Sequence, residues 1–329
     1  MIEKIEPIPK SIPESLRLAA IQQKLIPFIG AGVSQLGGCP NWSEFADASL
    51  NFFVKERKLN HAQLAQIAPL SSRVKLSVAL ELEKQHNLRI DFKQLLTPSG
   101  AKKEIGDKVY ANLSRLATTF VTTNYDDWLD QIPPEPLRTD DLVPPQLLQP
   151  GTSRHCFYKR NDISVGNLDV PNAVFHIHGS VRDRDSMVLR TVDYLDCYSS
   201  HRIDERENPE NVFLTFLKTL FQLKNVLFIG YGLNEMEVLE YIVQKGIQKP
   251  KTDEEPRHYV LQGFFTQDLE LARSLESYFH EFGIGLLPFS RDDQNWDQLI
   301  AVIDYLAREI PPGPPLALPK RLEMEELLS

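Results

Sequence analysis

The chain has 329 residues, 42% of them hydrophobic, and a formal net charge of −9. That length and apolar content suit one large α/β domain or two small ones and exclude wholesale disorder. The acidic balance argues against direct nucleic-acid binding, which needs clustered Lys and Arg. The densest basic run, Lys55-Glu56-Arg57-Lys58, reads as a solvated helix face.

Cys39, Cys156 and Cys197 are far apart and form no C-x-x-C pair. Neither a disulfide framework nor a thiolate zinc knuckle is expected, and a reducing cytoplasm is. Met1 to Lys10 lacks the apolar core of a signal peptide, and no apolar run approaches membrane-spanning length. The expectation is a soluble cytoplasmic protein with no membrane contact.

In chain order, Ser11-Ile12-Pro13-Glu14 reads as a helix start, with the helix running to about Lys24. Leu25 to Ile29 is a short apolar strand that feeds the tight turn Gly30-Ala31-Gly32. A new helix opens at Asn41-Trp42-Ser43, with Ser43 the expected N-cap. Residues 43–116 read as mostly helical, broken at Pro69 and Pro98. Ala117 to Thr123 is rich in β-branched residues and predicts a strand that stops at Asn124-Tyr125-Asp126-Asp127. The proline-rich stretch 131–151 predicts an extended loop, either a plain surface excursion or a lid. Strands follow at Ala173 to His178, Asn225 to Ile229, His258 to Leu261 and Ile284 to Phe289. Helices are predicted at about Glu235 to Lys245, Gln267 to Phe282 and Trp296 to Glu309, and prolines from Pro311 on end the last. Strand alternating with helix argues for an open, mostly parallel sheet wrapped by helices, with the ligand beyond the carboxyl ends of its strands. The expected organisation is a single domain over 1–329, with 43–116 a helical insertion, 131–170 a proline-rich loop region and 311–329 a tail.

Four candidate motifs fall at such strand ends. At Gly30-Ala31-Gly32-Val33-Ser34 a glycine turn lets backbone N–H groups approach a phosphate, although a tight turn in a core reads much the same. The dehydrogenase fingerprint is not met: Gln35 stands where its third glycine would fall, and Asp47 and Glu56 lie in a predicted helix rather than at the end of a second strand. A Walker A loop is absent too. Asn124 could hold a ribose hydroxyl or a water, with Asp126 adding a carboxylate; the plain alternative is an Asx turn. His176 and His178 are two apart on a strand and so are expected on one face, with Ala173, Phe175 and Ile177 on the other. His178, before Gly179, suits a general base; a satisfied core histidine is the plain alternative, and no metal is expected. Gly230-Tyr231-Gly232 is a second phosphate or ribose contact, or a connector capped by Asn234.

Taken together, these motifs resemble the sirtuin-like family, specifically its bacterial antiphage-defence branch. That family shows, in this order, the turn at Gly30 to Ser34, the Thr122-Thr123-Asn124-Tyr125-Asp126 segment, the strand end His178-Gly179-Ser180 and the late turn Gly230 to Gly232. Pro40 and Trp42 resemble the branch's Pro-x-Trp after the first turn. The resemblance implies a Rossmann-like α/β domain with a smaller, mainly helical inserted module. It implies Asn124 and His178 as the catalytic pair, and a cofactor-binding set of Gly30, Ala31, Gly32, Ser34, Trp42, Thr123, Asp126, Gly230, Gly232 and Asn234. The implied activity is hydrolysis of NAD, as substrate, to nicotinamide and ADP-ribose, in a regulated effector of antiphage defence. The deacylase branch carries a Pro-Asp-Phe-Arg type sequence near residue 40 and a four-cysteine zinc module between the Asn and His motifs. This chain lacks that Arg and has only Cys156 in that stretch. An NAD-dependent deacylase and a non-catalytic NAD or ADP-ribose binding module are the alternatives. By the same analogy the chain self-associates, and a translocase-type ATPase or Argonaute-type partner activates it.

Overall fold

Leu25–Ile29 (β1), Phe120–Thr122 (β2), His155–Phe157 (β3), Ala173–His176 (β4), Asn225–Ile229 (β5), His258–Phe264 (β6) and Ile284–Ser290 (β7) pair into one seven-stranded sheet. The strand order is β3-β4-β2-β1-β5-β6-β7, and every ladder is parallel. This computed structural model describes residues 2–98, 102–131, 153–198, 212–231 and 255–310. Gly232, Asn234, the helix expected at Glu235 to Lys245, most of the proline-rich stretch and the tail 311–329 lie outside the described residues.

A parallel sheet must be covered on both faces, and the strand sequences show how. In β1 and β5, Ile26, Phe28, Val226 and Phe228 face one core, while Leu25, Ile29, Leu227 and Ile229 face the other. Alternate side chains therefore build two separate layers from uniformly apolar runs. The first layer takes Thr191–Tyr198 (α8), Val212–Leu223 (α9) and Leu269–Glu281 (α10), through Cys197, Phe216, Leu220 and Phe279. The second takes Glu14–Ile21 (α1), Ala31–Leu36 (α2), Lys102–Leu116 (α7) and Gln298–Glu309 (α11), through Leu16, Leu36, Leu113 and Val302. A third cluster joins Trp42–Lys55 (α3), Ser72–His86 (α5) and Phe92–Leu96 (α6) around Phe45, Phe53, Leu76 and Phe92, with His61–Ile67 (α4) at its side. Tyr125, Met187 and Leu189 also enter that cluster, which ties it to the loops after β2 and β4.

Several local expectations are corrected. Asn41, not Ser43, caps α3: Asn41 Oδ1 accepts from the Glu44 N–H at 2.9 Å and the Glu44 carboxylate accepts from the Asn41 N–H at 2.8 Å. That reciprocal pair satisfies two end amides, where Ser43 would satisfy one. Helix α1 starts after extended Pro13 with no side-chain cap, so Ser11 plays no such part. Strands β2 and β4 stop at Thr122 and His176, short of the predicted ends. Strand β3 and helices α8 and α9 were not anticipated; three residues on a sheet edge carry no alternation to read. The N-terminal segment also packs: Ile2 and Ile5 are buried, the Ser290 N–H donates to the Glu6 carbonyl at 2.7 Å, and Gln298 Nε2 donates to the Pro7 carbonyl at 2.8 Å. No helix among the described residues is long and apolar enough to cross a membrane.

Candidate functional site

The strand order sets the ends of β4, β2, β1 and β5 side by side, and the order in which strands are added reverses about β1, whose neighbours are β2 and β5. A crevice beyond the carboxyl ends at such a reversal is where open α/β sheets bind ligands. Gly30, Asn124, His178 and Gly230 follow these four ends directly or within two residues.

The two glycine turns pack against each other. The Gly30 N–H donates to the Ile229 carbonyl at 2.8 Å and the Gly32 N–H to the Gly230 carbonyl at 2.9 Å. A Cβ on Gly30 or Gly32 would stand 2.7 or 2.8 Å from the Gly230 oxygen, and one on Gly230 (φ +74°) would stand 2.6 Å from the Val33 nitrogen. Close backbone approach therefore accounts for all three glycines. The Val33 N–H donates to the Gly30 carbonyl at 3.2 Å. The N–H of Ala31, the partly exposed first residue of α2, has no partner within the helix. Tyr231 closes the same end: its hydroxyl lies 3.0 Å from Thr123 Oγ1.

Asn124 is 8% exposed and held through its backbone N–H and its side-chain nitrogen. Its Nδ2 donates to the Gly30 carbonyl at 3.0 Å and to Ser34 Oγ at 2.7 Å. Its backbone N–H donates to Thr122 Oγ1 at 3.0 Å, and Thr122 Oγ1 donates to the Ile29 carbonyl at 2.9 Å. Ser34 Oγ donates to Asp126 Oδ2 at 2.6 Å and lies 3.0 Å from the Tyr110 hydroxyl. Burial raises the Asp126 pKa, with the Ser34 hydrogen bond and the nearby His176 opposing the rise. Ser34 and Asp126 thus buttress Asn124.

The two histidines part company. His176 Nε2 lies 2.7 Å from Asp130 Oδ1, and its Nδ1 lies 3.1 Å from the Asn124 carbonyl. Both partners can only accept, so both ring nitrogens carry hydrogen and His176 is an imidazolium. Burial works against that charge, but the hydrogen bond and charge of Asp130 outweigh it and raise the His176 pKa. Burial likewise pushes the Asp130 pKa up, and His176 and Arg182 bring it below its ordinary value. Arg182 Nε completes the cluster, 2.6 Å from Asp130 Oδ2. His178, past the strand end, faces elsewhere: its Nε2 lies 2.7 Å from the Tyr198 hydroxyl, and Tyr194 meets its ring edge-on at 5.1 Å. Burial, with Arg73 nearby, lowers the His178 pKa to about 3, so its imidazole is neutral. Gly179 (φ +82°) makes the turn after it possible, since a Cβ there would fall 2.2 Å from the Ser186 carbonyl oxygen. The expectation that His176 and His178 act from one face is thereby corrected, because the strand ends between them.

Trp42 stacks on Tyr125 at 5.7 Å, and the Tyr125 hydroxyl donates to the Val188 carbonyl at 2.6 Å. It joins the helical cluster to the Asn124 segment. Tyr110, Asp130, Arg182, Tyr194 and Tyr198 belong to this region and carry no motif signal; only tertiary packing brings them here. A separate cavity of about 330 Å³, between Arg89 to Lys93 and the Val181 to Met187 loop, contains none of the candidate residues. Among the described residues no group of three or more His, Cys, Asp or Glu side chains could hold a metal ion.

Residues 118–284 match the SIR2-like domain family. The matched span begins just before β2, so it contains Asn124, His178 and Gly230 but not the Gly30 turn. The chain is also similar to defense-associated sirtuin 2 of Bacillus subtilis, at 25% identity over 242 residues, covering 70% of this chain. The matched part covers 19% of that relative's length.

Proposed function

The chain belongs to the SIR2-like domain family, and from that premise we propose that it takes NAD across the ends of β1, β2, β4 and β5 and hydrolyses the bond between nicotinamide and ribose. The family supports NAD use, and the defence-associated relative supports a part in antiphage defence. The observation that carries the hydrolytic step is the Asn124 amide, with both hydrogens engaged by Gly30 and Ser34.

Nicotinamide leaves with the bonding pair, so its cationic ring nitrogen becomes neutral and positive charge passes to the ribose carbon. Water adds to that carbon and releases a proton, giving nicotinamide, ADP-ribose and H⁺. An amide oxygen held as an acceptor orients the water or a neighbouring ribose hydroxyl. Of the two roles open to His178, base or anchor, its low basicity favours the anchor: a neutral imidazole holding a ribose hydroxyl. The Ala31 N–H reaches the pyrophosphate. Trp42, Thr123, Ser34 and Asp126 act through packing and hydrogen bonds around Asn124, and Gly230 acts by seating the first turn. Gly232 and Asn234, outside the described residues, would supply the second phosphate or ribose contact. A four-thiolate zinc module cannot be built from three cysteines, which favours hydrolysis over deacylation. As a regulated effector the enzyme would work as an oligomer and be triggered by a partner, such as a translocase-type ATPase or an Argonaute-type protein.

Nicotinamide release from NAD alone, with and without candidate partners, tests the proposal. Wild type is expected to release nicotinamide without any acyl-lysine peptide, and Asn124→Ala to fail. Release that depends on an acyl-lysine peptide would make the protein a deacylase. Tight NAD binding with no turnover under any pairing would make it a binding module.

A further inference from the structure

The hydrogen bonds around Ser34 determine a direction. The Gly30 carbonyl can only accept, so the nitrogen of the Asn124 amide must face it. The second Nδ2 hydrogen goes to Ser34 Oγ at 2.7 Å. A serine hydroxyl has one hydrogen and two lone pairs. Its hydrogen goes to Asp126 Oδ2 at 2.6 Å, and one lone pair receives Asn124. The remaining lone pair faces the Tyr110 hydroxyl at 3.0 Å, so Tyr110 is the donor. Ser34 is then saturated, and both hydrogens of the Asn124 amide are engaged. No hydrogen bond from a described residue falls on Asn124 Oδ1.

Tyr110 itself is fixed. It is 1% exposed, on the inner face of α7, and its ring stacks on Trp128 at 5.1 Å with 5° between planes. The Trp128 backbone N–H donates to Asp126 Oδ1 at 3.3 Å. Tyr110, Ser34, Asp126 and Trp128 thus close a ring of contacts beneath Asn124.

We propose that Tyr110 is a positioning residue for Asn124: acting through Ser34, it leaves the amide oxygen as the only atom Asn124 presents to a ligand, which must therefore offer a hydrogen-bond donor, a water or a ribose hydroxyl. The inference rests on the NAD reading for the identity of that donor, but the positioning itself can be read without turnover. Protein labelled with ¹⁵N-asparagine shows each side-chain NH₂ as a pair of signals, and Asn124→Ala identifies the pair belonging to Asn124. In wild type that pair is expected to be protected from hydrogen exchange. Tyr110→Phe keeps the ring on Trp128 and removes one oxygen; it is expected to speed that exchange by about tenfold and leave the backbone amides unchanged. Ser34→Ala is expected to speed it further, and Tyr110→Phe remains decisive where Ser34→Ala fails to fold. In nicotinamide release, Tyr110→Phe is expected to lower kcat by about tenfold at unchanged KM, and to have no further effect on the residual rate of Asn124→Ala. Unchanged Asn124 exchange in Tyr110→Phe, or independent effects of the two substitutions on rate, would overturn the proposal. Altered exchange with no turnover in any variant, with every candidate partner present, would uphold the positioning and overturn the hydrolase reading.

Discussion

The two sides of the crevice are built on opposite principles. Around Asn124 the groups are polar and matched donor to acceptor, through Gly30, Ser34, Asp126, Tyr110 and Thr122. Around His178 the groups are aromatic: Tyr194 and Tyr198 enclose the ring, Phe213 backs Tyr198 at 5.5 Å, and the hydroxyl of Tyr198 meets Nε2. Directional bonds hold an atom to a few tenths of an ångström but fail when one partner is lost, because a buried donor or acceptor is stranded. Packing is less directional and more forgiving of a single missing atom. The first side therefore suits an orienting amide and the second a ring that makes one contact.

The largest expected effects test whether both sides serve one reaction. Asn124→Ala, which removes the orienting amide, is expected to lower nicotinamide release by about 10²-fold, and His178→Ala, which removes a ribose anchor, by about tenfold, each with circular dichroism unchanged. Loss from only one of them would assign the chemistry to one side. Next is the ion cluster of Asp130, His176 and Arg182, which meets the Asn124 carbonyl. Asp130→Asn leaves His176 buried without its carboxylate, and breaking such a pair costs about 3–5 kcal/mol, read as a lower midpoint in urea. The pH dependence has a definite sign. His176 has a raised pKa, so its contribution is complete below the unfolded value and is lost as pH rises through the folded value. Asp130 has a lowered pKa, so its contribution is present above its unfolded value and is lost as pH falls through the folded one. Wild type should therefore lose stability as pH rises above the ordinary histidine value, and Asp130→Asn should flatten that limb.

How far the sequence reveals the site follows the same divide. The strands β1, β5, β6 and β7 were legible, because continuous apolar runs ending in Gly or polar residues have few other uses. Asn124, His178 and the glycine turns were legible as motifs at strand ends. The role of the glycines was not: a Gly that admits a phosphate and a Gly that admits a neighbouring carbonyl look alike until Gly30 is seen against Gly230. Tyr110 and Asp130 were hidden for another reason. Tyr110 sits in an ordinary buried stripe with Val109, Leu113 and Leu116, and Asp130 ends a short 3-10 turn. Only the pairing of β2 with β4 brings His176 within reach of both Asn124 and Asp130.

A smaller effect concerns acid. Burial holds the pKa of His178 at about 3 and that of His258 at about 4. Below the ordinary histidine value the unfolded chain binds protons that the fold refuses, so stability present near neutrality is lost as pH falls from about 6.5. Each histidine contributes a slope of at most about 1.4 kcal/mol per pH unit. His178→Gln keeps a polar group beside Tyr198 but cannot titrate. The melting temperature of that variant should fall less steeply between about pH 6.5 and 5 than that of wild type. An unchanged slope would mean that His178 is protonated in the fold and is not the neutral anchor.

The smallest effect makes the comparison sharpest, because the same chemical change can be made on both sides. Tyr198→Phe removes the hydroxyl that meets His178 Nε2, just as Tyr110→Phe removes the one that meets Ser34. On the polar side one lost donor unlocks an amide, and a drop of about tenfold is expected. On the aromatic side the phenylalanine ring keeps its contacts with Phe213 and the imidazole, and Nε2 loses one neutral hydrogen bond. Nicotinamide release by Tyr198→Phe should stay within about threefold of wild type, with at most about 1 kcal/mol lost in stability. A fall as large as that of Tyr110→Phe would show that His178 too is held by direction rather than by packing. A rise well above threefold would show that Tyr198 competes with substrate for Nε2, so that α8 restrains the site it lines.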